Sequence, residues 1–305
     1  MQNVVLIAGQ AGESLAQSLA NRLGVPLAKR HIERFHDGET YVNITTPLAG
    51  KEVVVVQPTC PPVNDNLVEL LALIDCCRRA NVRKIHAVVP YFGYARQDRL
   101  TVPQTAISAS MVARLLEASG LDHLLTLELH SPQEVGFFRI PVSHVQALDL
   151  FVTDIQAQNF TNAVVVTPDI GGVKRAKQLA DALGLDLAII HKERQGTATN
   201  STVETLHIIG SVQGKTCILL DDMLDTGGTL AAAIHTLHQH GAASVQAYVT
   251  HGLFTPPAPA RLAQAPLTRL VATNSVPAAQ PMPATWRMLD VAPLFAHILT
   301  QVLNK

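Results

Sequence analysis

Residues 218–229 read ILLDDMLDTGGT, and they are the most informative segment for the architecture of this protein. An apolar run is followed by two carboxylates and by a turn rich in glycine and threonine, after which an apolar helical pattern begins. A buried strand that passes through a tight turn into a helix is the repeating unit of α/β proteins. Such a turn suits a phosphate, because glycines let backbone N–H groups approach and the following helix presents its positive N-terminus.

The polar side chains of this stretch fall into two groups. The turn predicted to bind phosphate consists of Asp225, Thr226, Gly227, Gly228 and Thr229. Asp221 and Asp222 precede it, and carboxylates suit ribose hydroxyls or a magnesium shell rather than a phosphate. The stretch therefore predicts a ligand that carries both a phosphate and a diol. The alternative is an acidic strand end followed by an ordinary capped helix.

The same alternation of strand and helix extends along the whole chain. Short β-branched runs predict strands at residues 4–8, 53–57, 85–89, 123–127, 163–167, 187–190, 216–220, 245–250 and 270–273. Helical spacing of apolar residues predicts helices at 15–23, 64–80, 106–119, 172–183, 228–240 and 291–302. Asn64 or Asp65 is the expected N-cap of the second helix. The proline-rich residues 255–266 show no apolar periodicity and are expected to form a surface connection. This order predicts the α/β class with doubly wound parallel sheets.

Chain length and a short internal repeat indicate two domains. At roughly 100–200 residues per domain, a chain of 305 residues suggests two. The stretches VVPYFG and VTPDIG, at residues 88–93 and 166–171, both read as a strand followed by Pro-x-x-Gly. We expect an N-terminal domain over residues 1–143 and a C-terminal domain over residues 144–291. A last helix at about residues 292–305 is expected to pack back on the first domain.

The composition argues against several classes of protein. Hydrophobic residues make up 48% of the chain and charged residues only 15%, which suits sheets that are buried on both faces. The formal net charge of -1 predicts no attraction to nucleic acid or to an anionic membrane, so any phosphate site must be local. The sequence has no secretory signal, no membrane-length apolar run and no CxxC or zinc spacing, and therefore predicts a cytoplasmic protein with reduced thiols.

Four further motifs point to one family. They are FHDGE at residues 35–39, PYFGYARQDR at 90–99, LH at 129–130 with GFF at 136–138, and PDIGG at 168–172. Together with residues 218–229, they resemble the ribose-phosphate diphosphokinase family, also called phosphoribosyl-pyrophosphate synthetases. The motifs follow the family's order and cover nearly the whole chain. The resemblance implies two doubly wound parallel-sheet domains of phosphoribosyltransferase-like type.

The resemblance assigns five residues to an ATP site. Phe35, Asp37 and Glu39 would contact adenine, with the ring packed on Phe35 and the carboxylates accepting from the exocyclic amine. In the family this loop reaches a neighbouring subunit, which implies a homo-oligomer, at least a dimer, with the family's hexamer as the alternative. Arg96 and Gln97 would hold the ATP phosphates, which a planar guanidinium fork suits. The alternatives are a surface hairpin of the Asp-Gly type and a solvated arginine run.

The resemblance also assigns the metal and the catalytic cations. His130 and Asp169 would flank the Mg²⁺ that bridges the ATP phosphates, and His130 is counted as catalytic. Glu128 stands where the family usually has Asp. Lys192 and Arg194 match the two basic positions of the family's mobile catalytic loop, which stabilises the charge of the transferring group. The alternatives are a structural histidine and ordinary solvated loop charges.

The reaction implied by the resemblance is attack by the C1 hydroxyl of ribose 5-phosphate on the β-phosphorus of Mg-ATP. The products would be phosphoribosyl pyrophosphate and AMP, for nucleotide biosynthesis. Residues 225–229 would hold the 5-phosphate, and Asp221 with Asp222 the ribose. Two alternatives remain: a phosphoribosyltransferase, which uses the same loop, and a non-catalytic regulatory homologue of the diphosphokinase.

Overall fold

The structure is a computed structural model that describes residues 3–195, 203–278 and 282–303. Of the predicted catalytic loop, residues 196–202 and the side chains of Lys192 and Arg194 lie outside the described residues, while the backbone of Lys192 and Arg194 belongs to a strand rather than to a loop. The chain divides into two compact units. The N-terminal unit comprises Met1–Gln146, Asn274–Pro277 and Asp290–Lys305, and the C-terminal unit comprises Ala147–Thr273 and Ala278–Leu289. Each unit has an apolar core of its own.

The elements follow one another in a regular α/β order. The N-terminal unit contains β1 (Val4–Ala8), α1 (Glu13–Leu23), β2 (Arg30–Arg34), β3 (Thr40–Ile44), β4 (Glu52–Val56), α2 (Val63–Arg79), β5 (Lys84–Val89), α3 (Ser108–Ser119), β6 (His123–Leu127), a 3-10 helix (Pro132–Phe137) and β7 (Val142–Val145). The C-terminal unit contains α4 (Leu148–Gln156), β8 (Ala163–Thr167), α5 (Val173–Leu183), β9 (Asp186–Gln195), β10 (Val203–Ile209), β11 (Thr216–Leu224), α6 (Gly228–Gln239), β12 (Ser244–Gly252), α7 (Ala258–Ala263), β13 (Arg269–Thr273) and β14 (Trp286–Leu289). Helix α8 (Ala292–Leu303) belongs to the N-terminal unit. Within the described ranges, no helix is both long and apolar enough to span a membrane.

The N-terminal sheet consists of five parallel strands in the order β1-β4-β5-β6-β7. Every residue of β1, β4 and β6 is buried, which explains why these strands are nearly continuous apolar runs rather than alternating patterns. Strands β2 and β3 form a separate antiparallel hairpin whose residues are half-buried or exposed, in strict alternation along β3 and over most of β2.

A chain of buried polar side chains crosses four strands of the N-terminal sheet. Glu52 and His86 Nε2 are 2.6 Å apart, and the Nδ1 atoms of His86 and His123 are 3.1 Å apart. The last member of this hydrogen-bonded series is Ser143, whose hydroxyl oxygen lies 3.0 Å from His123 Nε2. Because a carboxylate only accepts, His86 donates to Glu52 and must itself accept from His123. Burial lowers the pKa of both histidines, that of His123 to about 4, so both rings are neutral at pH 7.

The C-terminal sheet has seven strands in the order β10-β9-β8-β11-β12-β13-β14. All neighbours are parallel except β9 and β10, which pair antiparallel at one edge. From β8 the chain proceeds to β9 on one side, and it later returns to β11 on the other side of β8. The carboxyl ends of β8 and β11 therefore form a topological switch point, where open α/β sheets bind ligands. The predicted α/β class with two parallel sheets is confirmed.

The predicted N-cap of α2 was wrong. Pro62 is the N-cap and no side chain caps the helix, so Asn64 and Asp65 lie inside its first turn. Their side chains have other partners: Asn64 accepts from the Tyr94 hydroxyl, and Asp65 pairs with Arg34 at 2.8 Å. Tertiary partners on distant segments thus outweigh the local capping preference.

The prediction of a surface connection over residues 255–266 was also wrong. This segment contains the helix α7, whose Ala258 and Leu262 are buried. Proline is tolerated in the first turn of a helix, where its missing N–H would have no intrahelical partner. A helix of this length is too short for an apolar period to show in the sequence.

Candidate active site

The end of β11 places two carboxylates at the switch point. The strand continues to Leu224, so Asp221 and Asp222 belong to it rather than to the turn that follows. The Asp222 N–H donates to Asp221 Oδ1 at 2.9 Å, and the buried Asp222 lies 3.7 Å from the Arg175 guanidinium. Burial raises the pKa of Asp221 well above its usual value, and the charge of Asp222, its hydrogen bond and the charge of Asp169 raise it further.

Asp169 lies in the turn that follows β8, next to β11. Its Oδ1 accepts the Gly172 N–H at 2.9 Å, and its carbonyl accepts the Thr167 hydroxyl at 2.9 Å. A side chain at position 172 would collide with Thr167 Oγ1, so this turn requires glycine there. Asp169, Asp221 and Asp222 therefore form one cluster of like charges. Such a cluster is stabilised by a cation or by hydroxyl groups that donate to it.

The predicted phosphate turn directly follows these carboxylates. Gly227 has φ 72°, a left-handed conformation that favours glycine, and it is the N-cap of α6. The helix begins at Gly228, and the first turn of a helix presents N–H groups that have no intrahelical partner. Thr226 and Thr229 are exposed on this turn. The structure thus brings the predicted phosphate and diol groups together on one strand, turn and helix.

The residues that hold the turn in place could not be identified from the sequence alone. Thr255 donates its hydroxyl to Asp225, and the Arg261 guanidinium donates to the Thr226 carbonyl at 2.8 Å. Ala258 lies 3.4 Å from where a Cβ on Gly227 would be. These partners come from the segment that was predicted to be a surface connection. The adjacent prolines were the only local signal of a helix start there.

The predicted adenine contacts share the tip of the β2–β3 hairpin. The Phe35 N–H donates to the Glu39 carbonyl at 2.8 Å, and the Glu39 N–H donates to Asp37 Oδ1 at 3.0 Å. The Phe35 side chain is 48% exposed, with its ring centroid 5.7 Å from that of Tyr41. The structure places Phe35, Asp37 and Glu39 together on an exposed tip with one aromatic face available.

The predicted phosphate contacts of the N-terminal unit follow β5. Arg96 is exposed, and Gln97 Oε1 accepts the Ser108 hydroxyl at 2.7 Å. Because the Gln97 oxygen is occupied, its amide NH₂ is the group available to donate to a phosphate. Tyr94 has φ 68°, a conformation that non-glycine residues rarely adopt, and it positions the start of this turn.

His130 lies just beyond β6, in a turn with two unusual features. Glu128 is buried and has φ 42°, and its N–H donates to the Val145 carbonyl at 2.9 Å. The Leu129 N–H donates to His144 Nε2 at 2.9 Å. His144 therefore fixes Leu129, the residue before the exposed His130. The sequence did not reveal this role because His144 lies on β7, whereas Leu129 lies in the turn after β6.

The donor set of the site suits Mg²⁺, a hard cation that prefers carboxylate oxygens and keeps several waters. Among the described residues, no group of three His, Cys, Asp or Glu side chains lies close enough to hold a metal ion by itself. The metal roles of His130 and Asp169 stay predictions.

Comparisons with known proteins agree with this architecture. Residues 4–120 match the family described as the N-terminal domain of ribose phosphate pyrophosphokinase, and residues 145–276 match the phosphoribosyl transferase domain. A ribose-phosphate pyrophosphokinase of Ralstonia nicotianae is 42% identical over 308 residues, covering 99% of this chain and 96% of the relative. One from Parasynechococcus marenigrum is 47% identical over 277 residues, covering 90% and 83%. The crystal structure of phosphoribosylpyrophosphate synthetase from Mycobacterium smegmatis has a TM-score of 0.93, with 37% identity and 99% of each chain covered.

The fold and the site together define a class: α/β transferases with a phosphoribosyltransferase-type domain, in which two carboxylates lead into the predicted phosphate turn. Full-length similarity then decides the family. The chain belongs to the ribose-phosphate pyrophosphokinase family, and it is a transferase of diphosphate groups.

Proposed function

We propose that this protein transfers the pyrophosphoryl group of Mg-ATP to the C1 hydroxyl of ribose 5-phosphate, giving phosphoribosyl pyrophosphate and AMP for nucleotide biosynthesis. The observation that carries the proposal is the continuity of Asp221 and Asp222 with the phosphate turn at residues 225–229. One short segment offers acceptors for a diol and donors for a phosphate. Family membership supports the same reaction.

The sugar phosphate would bind in the C-terminal unit. The first-turn N–H groups of α6 and the hydroxyls of Thr226 and Thr229 would donate to the 5-phosphate. Asp221 and Asp222 would accept from the ribose hydroxyls. Hydroxyl donors favour the ionised carboxylate, so a bound ribose would oppose the rise in the Asp221 pKa that burial causes.

ATP would use groups of the N-terminal unit. Adenine would pack on the exposed ring of Phe35, with Asp37 and Glu39 accepting from its amine, while Arg96 and Gln97 donate to the phosphates. An exposed hairpin tip with an aromatic face suits contact with a ligand that a second subunit also binds. We therefore infer a homo-oligomer, at least a dimer. The low net charge supports no role for nucleic acid or membrane surfaces.

The chemical step needs positioning and charge stabilisation more than covalent catalysis. The C1 oxygen would form a bond to the β-phosphorus, and the bond from that phosphorus to the oxygen bridging to the α-phosphorus would break, so AMP leaves. The proton of the attacking hydroxyl would pass to solvent. Bound Mg²⁺, held by His130 and Asp169, would offset the phosphate charge. Lys192 and Arg194 would close over the transferring group.

One assay tests the proposal. AMP release from ATP should require ribose 5-phosphate and be abolished by chelation of Mg²⁺, and ³¹P NMR should show a new diphosphate on the sugar. A phosphoribosyltransferase would instead consume phosphoribosyl pyrophosphate and a base, releasing pyrophosphate. A regulatory homologue would give no AMP with any sugar. Either of these results would overturn the proposal.

A further inference from the structure

The phosphate turn is supported from one side by residues 253–264, which we call the support segment. The N–H groups of Leu253 and Phe254 donate to the Leu224 carbonyl at 2.8 and 3.2 Å. Thr255 then donates to Asp225, Ala258 packs against Gly227, and Arg261 donates to the Thr226 carbonyl. Each residue from 224 to 227 thus has its own partner in the support segment. The support segment therefore sets the conformation of the turn.

Arg261 differs from the other members because it brings a charge to the turn. Its Nη1 lies 3.2 Å, and its Cζ 4.0 Å, from where a Cβ on Gly228 would be. The guanidinium therefore lies against the first residue of α6, on the turn predicted to hold the sugar phosphate. Its side chain is exposed, and the bond to Thr226 uses one of the five N–H donors of a guanidinium.

The bond to Thr226 also has an electrostatic consequence. A carbonyl oxygen in a phosphate turn repels phosphate oxygens, because both carry negative charge. A guanidinium bonded to that carbonyl offsets its partial charge and fixes its direction. The same planar group can donate further N–H bonds to a phosphate, which a lysine ammonium matches less well in geometry.

We propose that Arg261 is a binding residue for the 5-phosphate of the sugar substrate, acting from outside the recognised turn. It holds the Thr226 carbonyl and donates to the same phosphate that the turn binds. This inference rests on the proposed function, since the phosphate must belong to ribose 5-phosphate. It also assigns a role to a segment that the sequence motifs leave without one.

The test compares three variants by steady-state kinetics and by calorimetric binding of ribose 5-phosphate. Arg261→Met should raise the KM and Kd for ribose 5-phosphate by roughly 10- to 100-fold, the range expected for loss of a charge-assisted hydrogen bond. The KM for ATP should stay within about 3-fold, since ATP binding is assigned to other residues. Arg261→Lys should recover part of the lost affinity because it keeps the charge.

Lys215→Met is the matched control. Lys215 precedes β11, at the end of the strand opposite the turn, and pairs with Asp186 at 2.9 Å. The control removes one cation from the same unit, so both variants change the net charge equally. It should leave the KM for ribose 5-phosphate unchanged. The salt dependence of binding is a further readout. The Kd of the native protein for ribose 5-phosphate should rise more steeply with ionic strength than the Kd of Arg261→Met.

The outcomes separate the inference from the proposed function. An unchanged KM in Arg261→Met would overturn the inference, as would equal losses in Arg261→Met and Lys215→Met. A lower melting temperature with a reduced kcat, an unchanged KM and no recovery in Arg261→Lys would show a purely structural role and also overturn it. Absence of ribose 5-phosphate binding by the native protein would instead refute the proposed function, and the inference with it.

Discussion

Two clusters of buried polar side chains, one in each unit, differ in how their charges are balanced. In the N-terminal sheet, Glu52, His86 and His123 form a chain in which every donor meets an acceptor. At the switch point of the C-terminal sheet, Asp221 and Asp222 are acceptors of the same charge, and burial with mutual repulsion raises the pKa of Asp221. The first cluster joins donors to acceptors in series, whereas the second places two like charges side by side, with the Arg175 guanidinium 3.7 Å from Asp222.

This difference shows how perturbed pKa values should be used to find a site. Both clusters contain groups whose pKa is shifted by burial, so the shift alone does not distinguish them. The partners distinguish them: the neutral histidines are joined in a hydrogen-bonded series, whereas the neighbouring carboxylates repel each other and would be stabilised further by a bound cation or hydroxyl donor. The following substitutions test whether the first cluster serves stability and the second serves binding.

The largest effect should come from removing the charges at the switch point. Asp221→Asn combined with Asp222→Asn should lower kcat/KM for ribose 5-phosphate at least a thousandfold, about 4 kcal/mol, because neutral amides replace both charged acceptors of the ribose hydroxyls. The melting temperature should equal or exceed that of the native protein, since the like charges are gone. Coupled AMP release and thermal unfolding measure the two effects. Asp186→Asn, an exposed carboxylate at the other end of the sheet, is the control and should behave as native. Activity within tenfold of native would contradict the assignment.

Lowering the pH should destabilise the N-terminal unit, because His123 is buried there in its neutral form. Its folded-state pKa of about 4 lies below the ordinary value of 6.5, so the unfolded chain binds the extra proton between these values. The free energy of unfolding should therefore fall as pH drops through this window, by roughly 3 kcal/mol for this group, with His86 acting in the same direction.

Urea unfolding at stepped pH measures this loss. His123→Gln should show a shallower dependence between pH 6.5 and 4 than the native protein, by up to one proton. His297→Asn, which removes an exposed histidine on α8, should keep the native dependence. Identical slopes in all three proteins would mean that His123 is not buried in a neutral form.

Removing Glu52, the acidic member of the hydrogen-bonded series, should lower the free energy of unfolding by less than acid does. Glu52→Leu leaves the buried His86 Nε2–H without an acceptor, so the free energy of unfolding should fall by about 2 kcal/mol while AMP release stays within about threefold of native. Asp75→Asn removes the charge of the partner of Arg79 in an exposed pair and should leave the free energy of unfolding nearly unchanged. Loss of activity in a folded Glu52→Leu variant would show that the N-terminal cluster serves function, and would contradict the assignment of that cluster to stability alone.

The smallest effect concerns single hydroxyls of the phosphate turn. Thr226→Val and Thr229→Val should each raise the KM for ribose 5-phosphate by about tenfold, since each removes one hydrogen bond to a charged group. Thr153→Val is the control, because its exposed hydroxyl bonds only the Asp149 carbonyl one helical turn away. An unchanged KM in both turn variants would exclude the hydroxyls from phosphate binding.

The sequence predicted the fully buried strands and missed the half-exposed ones. Strands such as β1 and β8 are apolar throughout, because they are buried on both faces, and their bounds were predicted without error. Strands β2, β3 and β10 were missed because half-exposed strands carry polar residues that resemble a loop.

For the candidate site, the sequence revealed contiguous motifs but not the residues that support them. Asp221 and the phosphate turn lie within one stretch and were predicted together. Arg261 and His144 act across sequence separations of 35 and 15 residues, through contacts that exist only in the folded chain. No local pattern encodes such contacts, so the roles of these residues had to come from the structure.

The return of α8 to the N-terminal unit has a consequence during synthesis. Asp290, just before α8, pairs with Arg22 of α1 at 3.2 Å, and α8 itself packs against α1. A ribosome makes α8 only after the whole C-terminal unit, so the first unit to emerge is the last to be finished. Until then, part of the apolar surface of α1 stays uncovered. The amino-terminal end of the nascent chain is therefore open to misassembly, or to capture by a chaperone, until α8 has been made.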